Sequence, residues 1–296
     1  MLYQPQRAPR QETLRLRGVE HHLTFWGPRA APGSAPLVFL HGFLDTGATF
    51  QFVVDALARE QPIVAPDWRG FGGSSWNGGS YWFPDYFADL DALLDAIAPQ
   101  VPVTLIGHSM GGNIACLYGG VRPQRVARIV NLEGFGLPRT SPEAAPERIR
   151  RWLDQLLEPP RFSEYDSLEQ FAAVLMRRNP RLVAARAAFI AACWASPLAQ
   201  GRYTVRADPA HKLVNPVLYR REEAEACWRR CVAPVLLVLG GQSELRAALG
   251  ADCTDDYFRG IYPQLQIATL PQVGHMMHHE DPVAVARLID AFLAAG

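Results

Sequence analysis

Short runs of apolar β-formers alternate with amphipathic segments from residue 12 onward, a pattern that predicts an α/β fold: a mostly parallel sheet with helices on both faces. The first two runs, TLRLRG and HHLTFWG, carry leucines and threonines at period two on either side of a short turn near Val19, which predicts a hairpin. PLVFLHG, from Pro36, is almost entirely apolar and ends in glycine, as a strand buried on both faces should. Phe50, Val53, Val54 and Leu57 follow at helical spacing. PIVAPDWRG repeats the strand pattern and runs into a glycine-rich loop, GFGGSSWNGGS. Beyond it Pro84 suits a first helical turn, and Phe87, Leu90, Leu94 and Ile97 form one face. VTLIG then leads straight into a helix beginning near Ser109, and RIVNLEG, from Arg128, makes one further strand.

There the strand pattern stops. Between Leu137 and Arg230 the chain is rich in Arg, Ala, Leu, Glu and aromatics, and reads as three to five helices. The sheet pattern resumes at PVLLVLGG and LQIATLP, and the chain closes with a helix carrying Val285, Leu288, Ile289 and Phe292 at helical spacing. The predicted organisation is a core of residues 1–136 and 231–296 interrupted by a helical insertion, residues 137–230, between a strand ending near Glu133 and one starting near Pro234.

Composition narrows the function more than the fold. Apolar residues make up 49% and charged residues 20%, enough for a sizeable core. The formal net charge is zero, so nothing marks the chain for nucleic acid or an anionic membrane, and the expected partner is a small molecule. The opening MLYQPQRAPRQETLRLRG lacks the apolar stretch of a signal peptide, and no run of about 18 apolar residues occurs. Cys116, Cys193, Cys227, Cys231 and Cys253 follow neither metal-ligand nor disulfide spacing, which leads us to expect free thiols and a cytoplasmic protein. Cys227 and Cys231 could share a helix face. Oligomeric state leaves no signature in the pattern.

The sharpest chemical signal is Gly107-His108-Ser109-Met110-Gly111, set between a predicted strand and a predicted helix. A nucleophile elbow needs that context: the chain turns within a residue or two, small residues keep the turn clear, and the hydroxyl of Ser109 is exposed above the sheet. A serine nucleophile requires a base, and that base requires an acid to fix its tautomer. His275, in LPQVGHMMHHEDP between the last strand and the last helix, is the candidate base. Its neighbours His278 and His279 suggest a metal at first sight, but no other ligand converges on them in the sequence; they read as a solvated loop, and neither a metal nor a cofactor is expected. An oxyanion hole needs two N–H groups, which Met110 and Phe43, the latter following His41-Gly42, are placed to supply.

Through HGFLDTGATF, APDWRGFGGSS, GHSMGG and VGHMMHHEDP the sequence resembles the α/β-hydrolase superfamily, close to its serine hydrolase-like and esterase branch. The resemblance covers about residues 36–133 and 234–294 and implies that the insertion is a cap over the site. Hydrolysis of esters, amides, thioesters or C–C bonds is implied, with a small or medium carboxylic ester expected first. A serine at the elbow, where epoxide hydrolases and haloalkane dehalogenases carry aspartate, argues against those two activities. In most relatives the acid stands three residues after the glycine closing the penultimate strand, but counting from Gly240 that place holds Ser243. Two carboxylates could substitute: Glu244, one residue on, and Glu133 at the end of the strand before the cap, the latter preferred because some branches place the acid there. A haloperoxidase or perhydrolase, a C–C hydrolase, an acyltransferase, or a non-catalytic binding protein on this fold remain the alternatives. The aromatics of the insertion (Trp152, Phe162, Tyr165, Phe171, Phe189, Trp194, Tyr203, Tyr219, Trp228) suit an apolar pocket, though most should be packing residues.

Overall fold

Each predicted apolar run forms a strand in the computed structural model, which describes residues 3–31 and 33–295. In chain order the strands are β1 (Arg10–Leu16), β2 (Val19–Trp26), β3 (Leu37–Leu40), β4 (Ile63–Pro66), β5 (Val103–His108), β6 (Val126–Leu132), β7 (Glu164–Tyr165), β8 (Ala195–Pro197), β9 (Tyr203–Val205), β10 (Val235–Gly240) and β11 (Leu265–Leu270). The helices are α1 (Gln51–Ala56), α2 (Pro84–Ile97), α3 (Met110–Val121), α4 (Ala145–Leu157), α5 (Leu168–Arg178), α6 (Ala184–Trp194), α7 (Arg221–Trp228), α8 (Glu244–Leu249), α9 (Asp255–Arg259), α10 (Met277–Glu280) and α11 (Pro282–Ala294).

Eight strands form one sheet in the order β1-β2-β4-β3-β5-β6-β10-β11. The hairpin β1–β2 is antiparallel, with β2 antiparallel to β4, and every pairing from β4 to β11 is parallel. Its turn is Arg17-Gly18, with φ of 49° and 81°, rather than the position near Val19; two left-handed residues match the twist of the flanking strands. β3, β4, β5 and β10 have almost no polar residue because helices cover both sides: one apolar cluster gathers α2 and α3 under the sheet, the other α1 and α11 above it. Strand order reverses at β3, whose neighbours β4 and β5 both follow it in the chain. The carboxyl ends of β3 and β5 therefore frame the crevice where open α/β sheets bind ligands.

The insertion holds four α-helices among the described residues, α4 to α7, within the expected number, but it is not purely helical. β7, β9 and β8 make a small antiparallel sheet, too short and too mixed in composition to show period-two alternation. A third apolar cluster, including Tyr165, Phe171, Leu175 and Ile190, gives this region its own core, while α7 packs on α3 instead. Cys231 lies beyond the end of α7, so it shares no helix with Cys227; both press on glycines of α3, Gly120 and Gly119. The five cysteines are free thiols. No helix among the described residues is long and apolar enough to cross a membrane.

Candidate active site

The turn from β5 into α3 forces Ser109 to φ 50°, ψ −112°, a conformation costly for a residue with a Cβ. A Cβ on Gly107 would stand 2.4 Å from the Gly111 carbonyl oxygen, and one on Gly111 2.1 Å from that of Leu40, so the turn closes only with glycine at both places. Ser109 N–H donates to Leu132 O (2.8 Å), which ties the elbow to the end of β6. The next residue is Glu133, also left-handed at φ 55°. Of the five non-glycine residues with positive φ among the described residues, Leu44, Ser109 and Glu133 fall on three neighbouring strand-end loops. Strained residues gather at functional sites in many proteins, which makes this edge the candidate site.

Glu133 is buried, and its carboxylate takes three donors. Gly240 N–H reaches Oε1 (2.7 Å), while Ser243 Oγ–H (2.7 Å) and the Nδ1 of His275 (2.8 Å) both reach Oε2. Donation of Nδ1–H to the carboxylate leaves Nε2 as the ring nitrogen of His275 that can accept a hydrogen bond. Ser243, at the place where the family resemblance leads one to expect the acid, donates its hydroxyl hydrogen to Glu133. Glu244 is exposed at the start of α8 and makes no contact with His275 among the described residues. Ser109 Oγ has no hydrogen-bond partner among the described residues, as is common in unliganded sites, where this contact tightens with substrate bound.

The loop after β3 lies against the elbow: a Cβ on Gly42 would be 3.3 Å from Ser109 Cβ. Neither Phe43 N–H nor Met110 N–H has a protein acceptor among the described residues, so both donors remain available beside the hydroxyl. His41 braces this loop. Its Nδ1 donates to Gly42 O (2.7 Å), its Nε2 accepts from Trp68 N–H (2.9 Å), and burial holds its pKa below the ordinary range, consistent with one neutral tautomer. His108 does the same for the histidine loop. Its Nε2 donates to the carbonyl of His275 (2.9 Å), and burial again keeps the ring neutral.

His278 and His279 are not in a solvated loop. Both are buried in α10 and converge on Asp45, a carboxylate that sequence spacing did not connect to them. His278 Nε2 lies 3.1 Å and His279 Nε2 3.6 Å from Asp45 Oδ2. Oδ1 accepts from Thr46 N–H (2.7 Å), Thr49 Oγ–H (2.6 Å) and Trp194 Nε1–H (2.8 Å), the last from α6 in the insertion. Burial opposes ionisation of Asp45, but its interactions with His279 and His278 outweigh this and hold the carboxyl below the usual range. The only sequence hint was the Asp in HGFLDTG, which reads equally well as a turn residue.

A cleft of about 940 Å³ runs from Ser109 and Met110 between α2, α3 and the insertion. Of the nine aromatics singled out in the insertion, Trp152 and Tyr219 line it. Tyr165 and Phe171 stack within the cap core, and Trp228 is fully buried.

The chain belongs to the α/β-hydrolase fold family, whose profile matches residues 35–282. It is similar to a serine hydrolase-like protein of Danio rerio, 36% identical over 113 residues, 38% of this chain and 33% of that protein, so the match spans a third of the relative's length. Among solved structures, a hypothetical protein of Pseudomonas aeruginosa PAO1 superposes with a TM-score of 0.81 at 27% identity, covering 96% of this chain and 99% of that one. The thioesterase domain from the curacin biosynthetic pathway gives 0.81 at 26% identity, covering 95% and 99%.

Proposed function

We propose that the protein is a serine hydrolase that cleaves carboxylic esters through an acyl-enzyme. The observation that carries this reading is the Glu133–His275 contact of 2.8 Å at the sheet edge where Ser109 is held in a strained elbow. In this scheme His275 Nε2 takes the proton of Ser109 as Oγ attacks the carbonyl carbon, and the carbonyl electron pair moves onto the oxygen facing Phe43 N–H and Met110 N–H. Collapse expels the alcohol, which receives the proton from His275. Water, deprotonated by the same ring, then releases the acid and restores Ser109. Glu133 holds the ring and stabilises its transient positive charge without accepting the proton.

A thioester would be opened by the same steps, and the likeness to a thioesterase domain makes acyl thioesters the competing substrate class. The test is labelling with a fluorophosphonate together with turnover of p-nitrophenyl and thioester substrates. Wild-type protein should label and turn over, and Ser109→Ala should do neither while melting at the same temperature. An unlabelled wild type that turns over no acyl substrate would leave the fold with a binding role.

A further inference from the structure

α3 is buried along all but one line. Met110, Asn113 and Leu117 are half-buried and Val121 is exposed, while the rest of the helix is buried. The spacings of three, four and four residues put these side chains in a single stripe, and all four line the cleft that starts at Ser109. α2 supplies one wall with Pro84, Phe87 and Ala88, and Leu137, Val217 and Ala224 supply the other. Three of the polar groups along the way are engaged within the protein, while Trp152 Nε1 and His211 Nε2, which also line the cleft, have no partner among the described residues. Asn113 Oδ1 accepts from Gly136 N–H (2.7 Å), Tyr118 OH donates to Asp91 (2.6 Å), and Arg148 Nε–H donates to Asn215 O (2.6 Å). At its far end the stripe reaches solvent, where Val121 is 64% exposed.

We propose that this stripe is a ruler for an unbranched apolar acyl chain, making long-chain esters, of about 12–14 carbons in the acyl part, the preferred substrates; the inference rests on the serine-hydrolase reading above. From Ser109 to Val121 the helix advances roughly 18 Å. An extended chain advances about 1.25 Å per methylene, the projection of a tetrahedral C–C bond of about 1.5 Å. A chain anchored at Ser109 therefore reaches the open end at about the thirteenth or fourteenth carbon, and further carbons enter water. Met110, Leu117 and Val121 offer an inserted chain only apolar contact, so burying a hydroxyl or a charge beside them would cost free energy without return.

The experiment is a p-nitrophenyl ester series from acetate to palmitate on the wild type, Leu117→Trp and Val121→Trp. In the wild type kcat/KM should rise roughly two- to fourfold per methylene, the value of transferring a methylene from water, then level off near C12–C14. Tryptophan at 117 blocks the cleft midway and should bring the optimum to about C6–C8; tryptophan at 121 should bring it to about C10. A profile flat or falling from C4 in the wild type overturns the ruler, as do variants that keep the wild-type optimum, and the wild-type profile decides alone where a variant does not fold. Labelling the same samples with a short-chain fluorophosphonate separates the two claims. Labelled protein with a flat profile removes the ruler and leaves Ser109 as nucleophile, whereas unlabelled wild type removes both.

Discussion

Two histidine–carboxylate pairs stand side by side at the same sheet edge, and they differ in surroundings more than in chemistry. Glu133 holds His275 at 2.8 Å and Asp45 holds His278 at 3.1 Å. The ring of His275 keeps 23% of its side chain exposed, whereas His278 and Asp45 are sealed at 0% and 1%. Asp45 binds the loop after β3, α10 and the insertion's Trp194 into one knot. Glu133 binds two strand ends and leaves one face of its histidine free. A histidine–carboxylate pair thus leaves a reachable ring nitrogen in one place, as the proposed reaction requires, and is sealed into the packing in the other.

The largest expected effect separates the two pairs by activity. Glu133→Gln should lower kcat by about 10²–10⁴-fold, because the amide cannot stabilise the imidazolium, while the melting temperature moves little. Asp45→Asn should show the opposite signature: a loss of about 3 kcal/mol in denaturant titration, since removing one partner of a buried pair strands the other, with kcat of the folded fraction within tenfold of wild type. If Asp45→Asn abolished turnover at unchanged stability, the division of labour would be wrong.

pH sharpens the same contrast. Burial keeps His21, His41, His108 and His279 below their ordinary pKa and brings His211 down to about 3. Each is neutral when folded and protonates near pH 6.5 when unfolded, so the unfolded chain binds more protons below that pH. Their contribution is therefore complete above about pH 6.5 and is lost as pH falls below it, by up to about 1.4 kcal/mol per pH unit for each ring. Melting temperatures measured from pH 7.5 to 5 should fall steeply below 6.5, and His279→Gln should flatten that slope.

The smallest effects concern the edge of the Glu133 pair. Ser243→Ala removes one of three donors to the carboxylate and should lower kcat several-fold, and Glu244→Gln should change it less than twofold. A larger effect from Glu244 than from Ser243, read from initial rates, would transfer the acid role.

The sheet and the elbow were legible because their signals are local: an apolar run, a Gly-x-Ser-x-Gly turn and a helical stripe each lie within about twenty residues. Glu133, which the structure brings to 2.8 Å from His275, stood out for a different reason, since a carboxylate closing the apolar run RIVNLEG has little structural excuse. What the sequence hid is nonlocal. Asp45 and His278 are 233 residues apart, and the adjacent histidines looked solvent-facing because a polar cluster in a loop usually is. The small sheet of β7, β8 and β9 escaped because two- and three-residue strands are too short to display a period.

The contact between Ser243 and Glu133 restricts how this edge can change over evolutionary time. The family resemblance leads one to expect the acid at the position of Ser243, the acid proposed here is Glu133 on the neighbouring strand, and the two side chains touch at 2.7 Å. An aspartate added at 243 would press two carboxylates together, and like charges that close cannot both ionise. A lineage cannot acquire the second acid and then discard the first without passing through a site whose histidine faces a shared proton instead of a full charge. The two addresses exclude each other, so moving the charge from one strand to the next requires either a weakened ancestor or both substitutions together.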